Sequence, residues 1–213
     1  MNAFLRQLAP SVTNLIRLDH TQALATFHQY DPTASGRFRR GIADNVCLQL
    51  EIHAQLEEEI FYPVLRLVLD DDAMKKAQPE HDELRTLIAR LKQMVVTDPT
   101  FDHTFNELMR QVMHHVAEEE TTLLPAAERL LPQQLTDLGA QMARRRLQLT
   151  ASRGGEFAGS LARSLSLGTV LASANTLLSG ASLLTRRGDP TRSWTRPGRA
   201  SSSSSSGAGF PTR

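Results

Sequence analysis

Two short motifs that pair a histidine with a glutamate four positions later recur in the sequence, 62 residues apart. They are His53 with Glu57 and His115 with Glu119, and each is followed by a proline ten positions beyond its histidine. Residues four apart on an α-helix lie about 40° apart around the axis and roughly 6 Å along it. Both side chains of a motif can therefore reach one metal ion, and the duplication is a much stronger signal than a single motif.

A further histidine stands upstream of each motif at nearly the same distance. His20 lies 33 residues before His53, and His81 lies 34 residues before His115. Each of these upstream histidines directly follows an acidic residue. The sequence thus predicts two antiparallel helical hairpins, related by a pseudo-twofold axis, that bring four histidines and two glutamates together.

These six polar residues fall on the seams that should form the core of a helical bundle. Seam positions alternate three and four residues apart along each helix and are normally apolar. A buried carboxylate without a partner would cost several kcal/mol, so it would pair or change its protonation state. A shared positive charge is the better explanation for six such groups, and a buried hydrogen-bonded polar layer is the alternative. The candidate metal ligands are His20, His53, Glu57, His81, His115 and Glu119.

The chemistry of this ligand set favours iron. Imidazoles and carboxylates without thiolates suit iron, manganese or zinc and argue against a structural zinc cluster. If both carboxylates bridge, each of two metal ions receives two nitrogens and two oxygens, with room for a bridging water or hydroxide. One coordination position then stays open for a small ligand. Because carboxylate-bridged pairs in bundle cores are typical of iron, we expect two iron ions, with manganese or zinc as alternatives.

The elements that must position these residues are helices, because no convincing alternating strand pattern appears before residue 150. Ser11 is a candidate N-cap, and Pro99 after Asp98 is typical of another helix start. The predicted fold class is all-α, an up-down-up-down four-helix bundle with an added C-terminal helix. The predicted helices span about residues 11–30, 38–69, 73–96, 98–130 and 132–149.

The composition divides the chain into three regions. Residues 1–131 contain the predicted bundle, residues 132–150 an accessory helix, and residues 151–213 a low-complexity tail. The tail is predicted to be largely disordered, apart from a weakly amphipathic apolar segment at 157–184. Serine, threonine and glycine dilute that segment too much for a membrane span. We expect it to contact the bundle, a protein partner or a membrane surface.

Charge and cysteine content restrict the remaining possibilities. Lys and Arg number 24 against 23 Asp and Glu, so the overall charge gives no indication of nucleic-acid binding. The single cysteine, Cys47, excludes an internal disulfide, and the N-terminus lacks an apolar run of signal-peptide length. We therefore expect a cytoplasmic protein that does not bind nucleic acid.

The placement of these motifs resembles the hemerythrin-like HHE cation-binding family over about residues 10–130. The shared features are the histidines on four consecutive helices and the stretches EEEIFYP and EEETTLLP at the two motifs. The resemblance implies an up-down four-helix bundle with a non-haem di-iron centre. It also implies that the four histidines are terminal ligands and that Glu57 and Glu119 are bridging carboxylates.

One departure from the oxygen-carrying members of this family affects the expected function. Those proteins have a second histidine on the third helix, four positions after the first, where this chain has Arg85 after His81. The chain is more similar to bacterial HHE proteins proposed to sense or bind oxygen, nitric oxide or peroxide, or to handle iron. A di-iron oxidase or peroxidase is one alternative, and a metal-stabilised interaction module is another.

Residues beside the seam leave two interpretations open. Glu58 and Glu118 would be auxiliary ligands, or side chains that are solvated or support a ligand without touching the metal. Tyr62 would be a hydrogen-bond donor in the iron pocket or a core aromatic. His28 lies about 80° round the first helix from His20, which favours an exposed side chain over a ligand.

Overall fold

The computed structural model describes residues 10–69, 74–75 and 77–164, and within these residues it contains six helices and no strands. In chain order they are α1 (Val12–Phe27), α2 (residues 36–65), α3 (Ala77–Gln93), α4 (residues 101–130), α5 (Leu135–Ser152) and α6 (Gly154–Ser164). Two of them contain a π-helical turn. Helix α2 joins Gly36–Leu56, the π-turn Glu57–Phe61 and Tyr62–Leu65, and α4 joins Phe101–Glu118, the π-turn Glu119–Leu123 and Leu124–Leu130. The prediction of an all-α fold is confirmed.

Hydrogen bonds to the side chains of Ser11 and Ser35 cap the starts of α1 and α2. The Ser11 hydroxyl accepts a hydrogen bond of 3.2 Å from a backbone N–H in the first turn of α1, so Ser11 is the N-cap, as predicted. Helix α4 differs from the prediction, because it begins at Phe101 and not at Pro99. The Asp98 carboxylate accepts hydrogen bonds from the backbone N–H and the hydroxyl of Thr100, both at 2.7 Å, and closes a turn before the helix.

The first four helices pack as a ring in which each contacts its two neighbours. Helix α1 packs on α2 and α4, and α3 also packs on α2 and α4. The start of α1 meets the ends of α2 and α4 in one hydrophobic cluster, so successive helices run in opposite directions. The predicted up-down-up-down bundle is confirmed. Helix α5 is the added C-terminal helix, and it packs on α1 and α2.

Two hydrophobic clusters fill the bundle, one toward each end. The first joins the start of α1, the ends of α2 and α4, and α5, and it includes Phe61 and Leu124. The second joins the end of α1 to α3 and to the first parts of α2 and α4, and it includes Phe27 and Phe105. The candidate metal ligands lie between these clusters along each of the four helices.

The two π-turns shift the buried faces of α2 and α4 by one residue. A π-turn closes i→i+5 hydrogen bonds instead of i→i+4, which inserts one residue into the helix. Phe61 and Leu123 are therefore buried where an uninterrupted pattern placed Ile60 and Thr122, and Thr122 is exposed. The predicted second helix also continued too far. Helix α2 ends before Leu67, which is 82 % exposed and does not belong to the seam.

A glycine at position 139 allows α5 to pack directly against the start of α1. A Cβ atom at this position would lie 2.1 Å from the Pro10 carbonyl oxygen and 3.0 Å from the backbone nitrogen of Val12. The first of these distances is far below van der Waals contact, so any larger side chain forces α5 away from α1. Arg145 joins α5 to α2, because its guanidinium donates to both oxygens of Glu59, at 2.7 and 3.0 Å.

Helix α6 lies within the stretch 151–213, for which the sequence predicted a low-complexity tail. It packs on α2, where Arg163 donates to the Asp44 carboxylate at 2.7 Å and Gly41 allows close approach of the two backbones. Helical structure therefore continues to Ser164, because α6 makes these contacts with α2. The amino-acid composition of the segment does not reveal them. The rest of the segment 157–184 and of the tail lies outside the described residues. Among the described helices, none combines the length and apolarity needed to span a membrane.

Candidate metal centre

The six candidate ligands meet in the middle of the bundle, with one histidine from each of α1 to α4 and one glutamate from each π-turn. All six are buried, with at most 8 % of any residue exposed, and the two glutamates are almost wholly enclosed. Each glutamate is the first residue of its π-turn. The apolar side chain four positions after each glutamate, Phe61 or Leu123, is buried as well.

The four imidazoles form two pairs. The ring centroids of His20 and His53 lie 5.0 Å apart, and those of His81 and His115 lie 4.8 Å apart. In the second pair the two Nε2 atoms face each other at 3.3 Å. Each pair comes from one predicted hairpin, α1 with α2 or α3 with α4, as the spacing of the motifs indicated.

Glu57 lies between the two pairs. Its Oε2 atom is 3.3 Å from Nε2 of His53 and 3.4 Å from Nε2 of His81, so it contacts one imidazole of each pair. Burial raises the pKa of the Glu57 carboxyl well above its usual value, and the neighbouring Glu119 carboxylate raises it further. A proton on Glu57 thus relieves the repulsion between two buried carboxylates in the metal-free site.

Glu119 occupies the equivalent position on the opposite side. Its Oε2 atom is 3.2 Å from Nε2 of His20 and 3.6 Å from Nε2 of His115. Its Oε1 atom accepts a hydrogen bond of 2.7 Å from the Tyr62 hydroxyl, whose oxygen is also 3.5 Å from Oε2 of Glu57. Both glutamates therefore connect the histidine pairs, as two bridging carboxylates would.

A carboxylate outside this inner group holds the Nδ1 atom of every histidine. The four distances from Nδ1 to the carboxylate oxygen range from 2.9 to 3.2 Å. Since an ionised carboxylate only accepts hydrogen bonds, Nδ1 carries the hydrogen, and the neutral ring presents a lone pair on Nε2 to the site. The pairs are His20 with Glu120, His53 with Asp19, His81 with Glu58, and His115 with Glu80.

These outer carboxylates form a closed ring around the bundle. An acid on α1 holds the histidine of α2, an acid on α2 holds that of α3, an acid on α3 holds that of α4, and an acid on α4 holds that of α1. Sequence reasoning considered such a role for Glu58 but did not find it for Asp19, Glu80 or Glu120. The signal was present, because an acidic residue precedes each upstream histidine and another follows each seam glutamate.

Burial keeps two of the imidazoles neutral. It lowers the pKa of His81 to about 4, with a further contribution from the adjacent His115 ring, and it also lowers the pKa of His53. His20 differs, because contacts with Glu119 and a second carboxylate outweigh burial and raise its pKa. His53 and His81 therefore offer unprotonated nitrogens at neutral pH, which is the form that binds metal ions.

Several buried polar atoms of the site make no hydrogen bond within the described structure. They are Nε2 of His20, Nε2 of His53, Oε1 of Glu57 and Oε2 of Glu119. Buried side-chain atoms without a partner are uncommon in folded proteins. Ligand atoms of these four residues lie within 4.8 Å of one another, and so do those of Glu57 and the second histidine pair. Two adjacent groups of nitrogen and oxygen donors that share Glu57 fit two divalent cations.

The structure also places the residues for which the sequence left two interpretations open. Tyr62 is wholly buried and packs on Phe61, as a core aromatic does, and its hydroxyl donates to the Glu119 carboxylate among the candidate ligands. Glu58 holds an imidazole from outside the inner group. Glu118 is half-buried and is not among the converging ligand atoms, and His28 is exposed.

Comparison with known proteins gives the family. The sequence model described as the hemerythrin HHE cation binding domain matches residues 11–127, which include all six candidate ligands. The chain belongs to this family. A solved structure of a hemerythrin HHE cation binding domain-containing protein from Mycobacterium kansasii shares the fold, with a TM-score of 0.59 and 21 % sequence identity. The likeness covers 73 % of this chain and 99 % of that chain.

Two proteins of similar sequence differ in how much of their own length the similarity covers. The chain is 25 % identical over 127 residues to a protein from Nostoc sp. named DNA nickase, which covers 60 % of this chain and 36 % of that protein. It is 27 % identical over 119 residues to an uncharacterized protein of Mycobacterium tuberculosis, which covers 54 % of this chain and 71 % of that protein. The hemerythrin-like chain thus spans about a third of the length of the nickase.

Proposed function

We propose that this hemerythrin-like chain holds two iron ions through its six buried histidine and glutamate side chains. The observation that carries the proposal is that each glutamate contacts one imidazole of each histidine pair. Carboxylates in such positions bridge two metal ions in helical-bundle centres. When both glutamates are ionised, the inner group contains two negative charges and no lysine or arginine. Two buried carboxylates of this kind are stable only when a cation or a proton balances them.

The protein's own residues would hold the ions and keep the site dry. One histidine pair would serve each ion, and the two glutamates would bridge them. The outer carboxylates fix the direction of each Nε2 atom, and the two hydrophobic clusters exclude bulk water from both ends. When bound, the ions supply the redox chemistry and the open coordination position that a diatomic ligand or peroxide needs.

The proposed role of this centre is to bind oxygen, nitric oxide or peroxide in sensing, stress protection or iron handling. Its third helix supplies one imidazole, and Arg85 does not enter the site. The Arg85 guanidinium is 42 % exposed and pairs with Glu58 and Asp82. A centre with four imidazoles supports a role other than reversible oxygen carriage. Manganese and zinc accept the same donors, so the metal must be determined directly.

Metal analysis and gas-binding spectra of the purified full-length chain test the proposal. We expect two irons per chain and a new visible absorption band when the anaerobically reduced protein receives oxygen, nitric oxide or peroxide. The Glu57→Ala variant should lose both iron and the band. Glu83→Ala, which removes an exposed carboxylate from α3, should keep both. A folded chain without iron, or a spectrum that none of the three ligands changes, would contradict the proposal.

A peroxidase-type activity is the second candidate, and the position of Tyr62 favours it. The Tyr62 hydroxyl oxygen is 3.4 Å from Nε2 of His81 and 3.5 Å from Oε2 of Glu57, so it lies beside both groups of donors. A phenol so placed can transfer a proton to a bound peroxide. Peroxide turnover that falls in Tyr62→Phe at unchanged iron content would support an enzyme. Equal turnover in the variant would favour ligand binding alone.

Partners and location remain predictions for this chain. We expect no binding to duplex or nicked DNA in a gel-shift assay at physiological salt, and a retarded band would contradict that expectation. Removal of residues 165–213 should leave the iron content unchanged and abolish any association with a protein partner or with lipid vesicles. Cell fractionation tests the expected cytoplasmic location.

A further inference from the structure

Arg146 of α5 binds the carboxylate that holds His53. Its two terminal nitrogens donate to the two oxygens of Asp19, one nitrogen to each oxygen. The same Asp19 carboxylate accepts the hydrogen bond from Nδ1 of His53 at 3.2 Å. Asp19 is only 9 % exposed, so solvent competes little for its oxygens. A continuous line of contacts therefore runs from α5 to a candidate metal ligand.

The pseudo-twofold counterpart of this contact has no arginine. Glu80 holds His115 in the same way that Asp19 holds His53. Among the described residues, its other contact with a basic side chain is with His114, which is 63 % exposed and whose Nε2 lies 3.8 Å away. The candidate ligands of the two hairpins thus occupy equivalent positions. The hairpins differ in the outer carboxylate, because an arginine binds Asp19 and none binds Glu80 among the described residues. The difference arises because α5 covers only the α1–α2 side.

The position of the Arg146 guanidinium is set by the whole of α5. Gly139 holds one part of that helix against the start of α1, and Arg145 binds both oxygens of Glu59 on α2. Helix α5 begins at Leu135, beyond the residues 11–127 that the family description matches. A segment outside the matched domain therefore reaches the candidate ligands through one arginine.

We propose that Arg146 is a positioning residue of the metal centre: it orients Asp19, which in turn orients His53. Helix α5 then contributes to the arrangement of the candidate ligands. A planar guanidinium that binds both oxygens of a carboxylate holds that carboxylate in one orientation and stabilises its negative charge. The fixed Asp19 carboxylate in turn keeps the hydrogen of His53 on Nδ1 and directs Nε2 inward. The effect on bound metal rests on the proposed di-iron function, whereas the effect on His53 does not.

The metal-free protein provides the first test. Nitrogen NMR of the histidine rings reports which ring nitrogen carries the hydrogen. In the wild type we expect His53 protonated on Nδ1 alone, and in Arg146→Gln a mixture of both tautomers. Arg145→Gln is the matched control, since it removes an equivalent contact between α5 and a carboxylate that touches no histidine. An unchanged His53 in Arg146→Gln, or the same change in both variants, would overturn the proposal.

Release of iron to a chelator from the loaded protein provides the second test. Loss of a partner outside the ligand shell typically weakens metal binding by about 10–100-fold, so Arg146→Gln should release iron faster by a factor in this range. Arg145→Gln should release iron at the wild-type rate. Arg146→Lys keeps the positive charge but cannot bind both carboxylate oxygens in the same plane, so its release rate should lie between those of the wild type and Arg146→Gln. Equal release from all four proteins would overturn the proposal. If the wild type binds no iron, the di-iron function fails, and the NMR result still decides the role of Arg146.

Discussion

Removal of the Tyr62 hydroxyl should destabilise the metal-free protein and have much less effect once iron is bound. In the metal-free site this hydroxyl donates the 2.7 Å hydrogen bond to Oε1 of Glu119, and both side chains are shielded from water. In Tyr62→Phe the carboxylate oxygen loses its donor, and no water replaces it. A bound cation attracts the same carboxylate, so the loss of the hydroxyl then matters less.

The magnitude follows from the burial and the charge of the acceptor. A hydrogen bond to a charged group contributes about 1.5–3 kcal/mol to the free energy of unfolding. For a chain of this length, each kcal/mol shifts the Tm by about 2–4 °C. We therefore expect the Tm of metal-free Tyr62→Phe to fall by about 3–12 °C.

Tyr30→Phe is the matched control. Tyr30 also donates its hydroxyl hydrogen to a carboxylate, that of Asp102, but it is only half-buried and packs on Phe105 in the second hydrophobic cluster. Its loss should lower the Tm less than Tyr62→Phe does. The decrease should be the same with and without iron, because this hydrogen bond lies outside the metal site.

Thermal unfolding followed by circular dichroism, in chelator and with two equivalents of iron, measures both effects. The expected pattern is a decrease for Tyr62→Phe that shrinks on iron loading, beside a smaller decrease for Tyr30→Phe that does not change. Identical Tm values for metal-free Tyr62→Phe and the wild type would refute this account of the site. An equal response of both variants to iron would refute it as well.

Three further predictions concern other parts of the molecule. Burial and Glu119 raise the pKa of Glu57, so the folded metal-free protein keeps a proton that the unfolded chain loses. Its free energy of unfolding should therefore fall as pH rises above about 4.5, by up to about 1.4 kcal/mol per pH unit. Urea unfolding at several pH values should show a flatter pH dependence for Glu57→Gln, and the same pH dependence in variant and wild type would contradict this. Burial raises the pKa of the Cys47 thiol to about 12, so a disulfide reagent at pH 8 should modify it only after unfolding. Rapid modification of the native chain would contradict this and show that the second hydrophobic cluster opens around Cys47. Gly139→Ala places a methyl group 2.1 Å from the Pro10 carbonyl oxygen, so it should displace α5 and destabilise the protein by about 1–3 kcal/mol in urea unfolding. Because Arg146 moves with α5, the variant should also release iron to a chelator faster than the wild type, and unchanged stability would contradict this account of the α1–α5 contact.

The convergence of the six candidate ligands could be predicted from the sequence because their spacing is local. His53 and Glu57 lie on one helix, and the same four-residue interval recurs at His115 and Glu119, so helix geometry alone places each pair on one face. The burial of these residues on the seam then followed from their apolar neighbours. The repeat of the whole pattern predicted that the two sets would meet.

The π-turns and the outer contacts could not be predicted in the same way. A π-turn changes the interval between buried residues by one. A regular helix would place Ile60 and Thr122 on the buried seam, three positions after the glutamates, whereas Phe61 and Leu123 are buried and Thr122 is exposed. The contact between Asp19 and Arg146 joins positions 127 residues apart, and nothing in the local pattern links them. The packing of α6 on α2 could not be chosen among the alternatives for a similar reason, since it depends on contacts between distant positions such as Arg163 and Asp44.

The division of the core into two hydrophobic clusters has a consequence for the cooperativity of unfolding. Each end of the bundle has its own apolar contacts, and the layer between them consists of buried polar groups, several of whose atoms make no hydrogen bond within the described structure. Segments with separate contacts can open independently of one another. Native-state hydrogen exchange of the metal-free chain should therefore resolve two units, one for each cluster. Bound ions would link all four helices at the polar layer between the two clusters. The two ends should then open together, and the domain should unfold as a single unit.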